Sequence, residues 1–121
     1  MFTFIETKLF TRLVQEYLTD EEYQQLQMLL MGQPEAGDVI PESGGVRKLR
    51  WRAPGRGKRG GYRVIYFALM EDAVIWFLTM YPKNVKDDIP AHVLRQMRKE
   101  VEDAQEKTKH RRRNPKRPSR N

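Results

Sequence analysis

Cysteine is absent from this sequence of 121 residues, and histidine occurs only twice, as His92 and His110. The lack of thiols excludes disulfides, zinc–thiolate sites and cysteine nucleophiles, and it is typical of a protein from a reducing compartment. Two imidazoles are too few for a typical histidine metal site. No apolar run reaches membrane-spanning length, and residues 1–6 do not resemble the start of a signal peptide. We therefore expect a cytosolic, single-domain protein without a cofactor.

Acidic residues are missing from one long stretch. None occurs between Glu42 and Glu71, whereas the same stretch contains eight basic residues: Arg47, Lys48, Arg50, Arg52, Arg56, Lys58, Arg59 and Arg63. Neighbours in sequence cannot neutralise this charge, so its counter-charge must come from elsewhere. A polyanion is the simplest candidate partner.

The basic stretch reads as two strands joined by a glycine-rich loop. In the first strand Lys48, Arg50 and Arg52 alternate with apolar residues, so the cations should share one face of a sheet. The second strand, residues 62–69, is apolar on both faces, as expected for a central strand. Arg63 heads this strand, and two interpretations stay open: a packed stem with its head in water, or a guanidinium directed at phosphate.

Local signals predict the remaining elements. A short strand over residues 2–6 precedes a helix capped by Thr7, and a capping box over Thr19–Glu22 starts a second helix that should stop at Gly32. Residues 33–45 are rich in proline and glycine and predict an irregular connection.

The second half of the chain completes the fold. Residues 73–81 predict a strand buried on both faces. Asp87 and Asp88 before Pro90 predict an acidic cap for a third helix. The order strand, two helices, three strands and helix predicts an α+β fold with a small antiparallel sheet.

The chain ends in a basic segment. Seven of its 23 Lys and Arg residues lie at or after Lys109 and no acid follows, so residues 1–108 contain 23 − 7 = 16 basic and 16 acidic residues. Because no apolar periodicity continues beyond Thr108, we expect residues 108–121 to be disordered. This tail either acts as a solubilising extension or attaches the protein to nucleic acid by counterion release.

Two classes of phosphate chemistry are disfavoured. The glycine-rich loop over 55–61 lacks the spacing and the Ser/Thr of a Walker motif. No carboxylate lies near the basic stretch, which argues against a two-metal nuclease. A metal-independent RNase would instead use charge to stabilise the phosphorane and a nearby Lys or Tyr to move protons.

Four side chains are candidates for proton transfer: Lys48, Lys58, Lys83 and Tyr81. Tyr81 ends the last predicted strand and Lys83 follows it, and both could act if that strand ends beside the basic one. The alternative is that Tyr81 closes the edge of the core and Lys83 is a solvated loop residue. We assign Trp51 and Trp76 to packing rather than base stacking.

Four linked motifs resemble the HigB-like branch of the RelE superfamily, toxins of bacterial type II toxin–antitoxin systems. They are residues 37–41 (Gly-Asp-Val-Ile-Pro), 44–50 (Gly-Gly-Val-Arg-Lys-Leu-Arg), 57–66 (Gly-Lys-Arg-Gly-Gly-Tyr-Arg-Val-Ile-Tyr) and 78–84 (Leu-Thr-Met-Tyr-Pro-Lys-Asn). The resemblance implies a RelE-like fold over residues 1–107, with a helical hairpin and a C-terminal helix around a small antiparallel sheet. It also implies ribosome-dependent, metal-independent cleavage of mRNA in the A site.

The resemblance assigns roles by position. It matches Arg63 to a phosphate-binding arginine, Tyr81 and Lys83 to catalytic strand-end residues, and Arg47, Lys48, Arg50 and Lys58 to substrate-facing cations. Together with the basic stretch, this predicts a catalytic set of Arg63, Tyr81, Lys83 and Lys58 and an RNA-binding set of Arg47, Lys48, Arg50, Arg52, Arg56 and Arg59. The partners it implies are the ribosome, mRNA and a HigA-like antitoxin with a helix-turn-helix domain, with no membrane and a monomeric toxin when antitoxin is absent. The alternatives are a gyrase-directed inhibitor of the same fold, or a non-catalytic RNA-binding module.

Overall fold

A computed structural model describes residues 1–55, 60–85 and 88–113, with side chains described to residue 107. Within these ranges the chain forms three helices and one five-stranded sheet. The elements are β1 (Thr3–Glu6), α1 (Lys8–Tyr17), α2 (Asp20–Gly32), β2 (Asp38–Val39), β3 (Arg47–Arg52), β4 (Gly61–Leu69), β5 (Val74–Pro82) and α3 (Ala91–Arg113). The predicted α+β class is confirmed.

The helical hairpin begins where its caps predict. The Thr7 hydroxyl accepts a hydrogen bond from the Phe10 amide at 3.0 Å. At the start of α2 the Thr19 hydroxyl accepts from the Glu22 amide at 3.1 Å, while the Glu22 carboxylate accepts from the Thr19 amide at 2.9 Å. Both caps satisfy amide donors that the first helical turn leaves unpaired, which fixes the helix starts locally.

The strand order in the sheet is β1-β5-β4-β3-β2. Strands β2 to β5 pair antiparallel, as expected, whereas β1 pairs parallel to β5. No hairpin joins β1 to β5, since the rest of the sheet lies between them in sequence, so their relative direction is not dictated by a tight turn. The two-residue strand β2 lies within the connection that was predicted to be irregular.

Helices cover both faces of the sheet. The hairpin α1–α2 covers one face, where the Phe10 ring stacks on that of Phe77 of β5 with centroids 4.5 Å apart, and Leu26 belongs to the same buried cluster. On the other face Leu94 and Val101 of α3 pack against Ile65, Phe67 and Trp76. The packing role predicted for the tryptophans is confirmed, because each is only 8% exposed.

Hydrogen bonds hold the connection between α2 and β3 in place. The Tyr66 hydroxyl donates to the Pro34 carbonyl and accepts from the Gly37 amide, both at 2.9 Å. A Cβ at Gly37 would lie 2.9 Å from Cε1 of Tyr66, so this close approach requires glycine. Buried Ser43 also accepts from the Val46 amide at 3.0 Å. These contacts fix where β3 starts.

The start and end of α3 differ from the sequence-based boundaries. The Pro90 carbonyl accepts the first helical bonds, from Val93 at 3.0 Å and Leu94 at 3.2 Å. Asp88 therefore precedes the helix start, and its described side-chain contacts are with Lys48 and Tyr81 rather than with the first amides of the helix; Asp87 lies outside the described residues. The helix continues to Arg113, past the predicted start of the tail at residue 108, and residues 114–121 lie outside the described residues. None of the described helices is both long and apolar enough to cross a membrane.

Candidate active site

Three predicted site residues form a row across the centre of the sheet. Arg63 of β4 lies directly opposite Arg50 of β3 on one side and opposite Tyr81 of β5 on the other. Residues that pair directly across strands point to the same face, with Cβ atoms about 5 Å apart. Arg50, Arg63 and Tyr81 therefore share one face, which is the face covered further along by α3.

Two further cations extend the row along the strands. Lys48 and Arg52 flank Arg50 at two-residue spacing and so share its face. Arg52 lies opposite Gly61, and that glycine leaves room for another side chain: a Cβ at Gly61 would lie 3.0 Å from Cδ of Lys83. The Lys83 stem thus lies over Gly61, on the face of Arg63. The basic strand β3 and the end of β5 thus lie on either side of the start of β4 and contribute side chains to the same face, which is the condition set for a role of Tyr81 and Lys83.

Asp88 is a site residue that the sequence did not predict. Its Oδ1 lies 3.5 Å from Nζ of Lys48 and accepts a long hydrogen bond of 3.4 Å from the Tyr81 hydroxyl. Below these groups lies a cavity of about 70 Å³, whose apolar lining includes Ile65 and Ile89. The pattern of Asp before proline indicated a helix cap, and nothing in the local sequence indicates that the segment after β5 folds back onto Lys48.

The environment of Tyr81 favours its neutral phenol. Burial raises the pKa of Tyr81, and the charge and hydrogen bond of Asp88 raise it further, whereas Arg63 and Arg50 lower it. Because the net shift is upward, the hydroxyl keeps its proton at neutral pH. Tyr81 is thus suited to donate a proton rather than to accept one.

Carboxylates from outside the basic stretch reach its cations, contrary to the expectation from sequence. Besides Asp88, Oδ2 of Asp38 lies 3.7 Å from a guanidinium nitrogen of Arg50. The Arg50 and Asp38 side chains are 63% and 84% exposed, and such surface pairs are weak. The Arg50 guanidinium can therefore exchange this partner for a phosphate. No group of three or more His, Cys, Asp or Glu side chains in the described ranges could hold a metal ion.

Arg47 lies apart from the row. It pairs with Tyr66, whose side chain belongs to the hairpin-side core, so its own side chain points away from Arg50. Its guanidinium donates to the carbonyls of Gly37 at 2.7 Å and Glu35 at 3.2 Å. These contacts hold the connection before β3, and the RNA-binding role of Arg47 stays a prediction. Arg56, Lys58 and Arg59 lie outside the described residues.

The chain is similar to a known protein family and to solved structures of that family. A family model described as the RelE toxin of the RelE/RelB toxin–antitoxin system matches residues 3–112. A mutant of the E. coli toxin RelE in its free state superimposes with a TM-score of 0.54 at 15% identity, over 80% of this chain and 96% of that one. In the E. coli RelBE toxin–antitoxin complex, the matched chain gives a TM-score of 0.51 at 15% identity, over 69% of this chain and 99% of that one.

Proposed function

Because the chain belongs to the RelE toxin family, we propose that it cleaves mRNA in the ribosomal A site without a metal ion and so inhibits translation. The predicted superfamily is confirmed, whereas the HigB-like branch stays a prediction. The observation that supports cleavage most directly is the row Arg50–Arg63–Tyr81, which places two guanidinium groups beside a protonated phenol on one face.

The row supplies two of the functions that RNA cleavage requires. The 2′-oxygen of the message attacks phosphorus, the bond from phosphorus to the 5′-oxygen breaks, and negative charge builds up on the non-bridging oxygens. Arg63 and Arg50 stabilise that charge through their N–H donors. The Tyr81 hydroxyl donates its proton to the departing 5′-oxygen. Lys83 adds positive charge beside Arg63, and a catalytic role for Lys58 stays a prediction.

The exposure of the site supports the proposed dependence on the ribosome. The Arg50 side chain is 63% exposed, so the described part of the row does not bury a nucleotide bound there. In-line attack requires the 2′-oxygen, phosphorus and 5′-oxygen to be aligned, and such alignment accounts for a large part of the rate enhancement of many enzymes. We propose that the ribosome supplies this alignment by holding the codon in the A site.

The family also suggests the antitoxin partner. E. coli RelE occurs in a complex with RelB. We propose that this chain likewise binds a small antitoxin, and its predicted HigA-like helix-turn-helix type is part of that proposal. Co-expression with the product of an adjacent reading frame tests it: the proposal requires co-purification and relief of growth arrest.

The activity is tested in a reconstituted translation system with a defined message. Primer extension should show cuts at codons in the A site, and the fragments should end in a 2′,3′-cyclic phosphate, which only attack by the 2′-hydroxyl leaves. Message without ribosomes serves as the control and should remain intact. Translation arrest without cuts would contradict the proposal and favour a non-catalytic binder, whereas inhibition of DNA supercoiling by gyrase would favour the gyrase-directed alternative.

A further inference from the structure

Cleavage through the 2′-hydroxyl needs a group that accepts its proton, and the row itself offers none. The guanidinium groups of Arg50 and Arg63 have donors only and stay protonated. The Tyr81 phenol is neutral and donates its proton. The described carboxylates that contact cations on this face are those of Asp38, which pairs with the exposed end of Arg50, and Asp88, which also accepts from the Tyr81 hydroxyl and so lies next to the proton donor.

We propose that Asp88 is a catalytic residue that accepts the proton of the attacking 2′-hydroxyl, an inference that rests on the nuclease function proposed above. One Asp88 oxygen contacts both Lys48 and Tyr81, and the carboxylate has a second oxygen. The side chain is 71% exposed, so a bound nucleotide can reach it from solvent. The contacts of 3.4 and 3.5 Å are loose, as catalytic contacts often are before substrate binds.

Asp88 gains one proton during cleavage and Tyr81 loses one, so the two residues together end with as many protons as they began with. The 2′-hydroxyl proton passes to an Asp88 oxygen as the 2′-oxygen bonds to phosphorus. The Tyr81 proton passes to the 5′-oxygen as its bond to phosphorus breaks. The hydrogen bond between the two side chains then returns a proton from Asp88 to Tyr81, which restores both groups. The products are a 2′,3′-cyclic phosphate and a 5′-hydroxyl.

Lys48 acts as a positioning residue in this scheme. Its side chain is 23% exposed, so it is held more firmly than the Asp88 side chain that it contacts. The ammonium group keeps the carboxylate near Tyr81. A role as a helix cap does not explain the position of Asp88, because its described contacts are with Lys48 and Tyr81 rather than with the first amides of α3.

The test measures single-turnover cleavage of ribosome-bound message. Asp88→Asn keeps the shape of the side chain but removes its basicity, and we expect cleavage to slow by about 100-fold. Asp103→Asn is the matched control, since Asp103 is an exposed residue of α3 and its change alters net charge equally. The control should cleave at the wild-type rate, and all variants should melt at the wild-type temperature.

Chemical rescue separates proton transfer from a structural role. Asp88→Ala should regain cleavage as formate is added, with saturation, and sodium chloride at equal ionic strength should have no such effect. Cleavage by Asp88→Asn at or above the wild-type rate would overturn the inference, since the carboxylate would then be dispensable or would block the site. A slow Asp88→Ala that formate does not rescue would also overturn it. Failure of the wild type to cleave would refute the nuclease function itself.

Discussion

Arg50 and Arg63 lie directly opposite each other on β3 and β4, so two like charges occupy one cross-strand pair in the middle of the sheet. Such pairs destabilise a sheet, and an opposite charge or a neutral partner would be more stable. The arrangement is understandable if a phosphate binds between the two guanidinium groups. Stability and function should therefore respond in opposite directions when the pair is broken.

Substitution Arg50→Thr should raise the free energy of unfolding by about 0.2–1 kcal/mol while slowing cleavage, because it removes the repulsion and retains a good strand former. Urea denaturation measures the stability. Arg52→Thr is the matched control, since Arg52 lies on the same strand and face but opposite Gly61. Equal stability of the two variants would show that the Arg50–Arg63 repulsion is negligible.

Arg47→Ala should lower the free energy of unfolding by about 1.5–3 kcal/mol, because it removes charged hydrogen bonds to two backbone carbonyls before β3. Its cleavage rate per folded molecule should remain close to that of the wild type. Urea denaturation and single-turnover cleavage below the transition separate the two effects. A stable variant with weakened RNA binding would instead support the RNA-binding role predicted from the sequence.

Alkaline pH should destabilise the protein through Tyr23. Burial raises the pKa of Tyr23 well above its usual range, and Glu6, which accepts a hydrogen bond from the Tyr23 hydroxyl, raises it further. The folded state therefore keeps a proton that the unfolded state releases above about pH 10, and stability falls as pH rises further. In Tyr23→Phe the free energy of unfolding should depend less steeply on pH between about 10 and 11. An unchanged slope would contradict this assignment.

Gly61→Ala tests the position of Lys83 without removing its charge. The new Cβ would lie 3.0 Å from Cδ of Lys83, which can move because it belongs to a flexible side chain. Stability should change little, whereas cleavage should fall by about 10-fold to about 100-fold. In a Lys83→Ala background the Gly61→Ala change should have no further effect on cleavage. Additive losses would show that Lys83 does not mediate the effect.

Much of the fold could be predicted because its signals are local. Thr7 and Thr19 cap helices through residues three positions away, and alternation alone placed Lys48, Arg50 and Arg52 on one face. The pairing of Arg63 with Tyr81 depends on strand register, which alternation does not specify, so the sequence predicted the two residues as site members but not their pairing.

Two site features depend on tertiary contacts that leave no local signature. Arg47 follows the same basic pattern as Lys48, yet its position one residue earlier directs it to the carbonyls of Glu35 and Gly37 on the other face. Asp88 is 40 residues from Lys48 in the sequence, and only the path of the chain after β5 brings the two together. The sequence therefore indicated the cations of the site but not its carboxylate.

The most direct test of the account compares single-turnover cleavage of ribosome-bound message by Arg63→Ala and Arg12→Ala. Arg12 is an exposed arginine on α1, across the sheet from the row, so both variants lose one guanidinium group. Arg63→Ala should cleave about 100-fold to about 1,000-fold more slowly, as expected for the loss of one fixed transition-state donor, and Arg12→Ala at the wild-type rate. Equal rates for the two variants would contradict a catalytic row centred on Arg63.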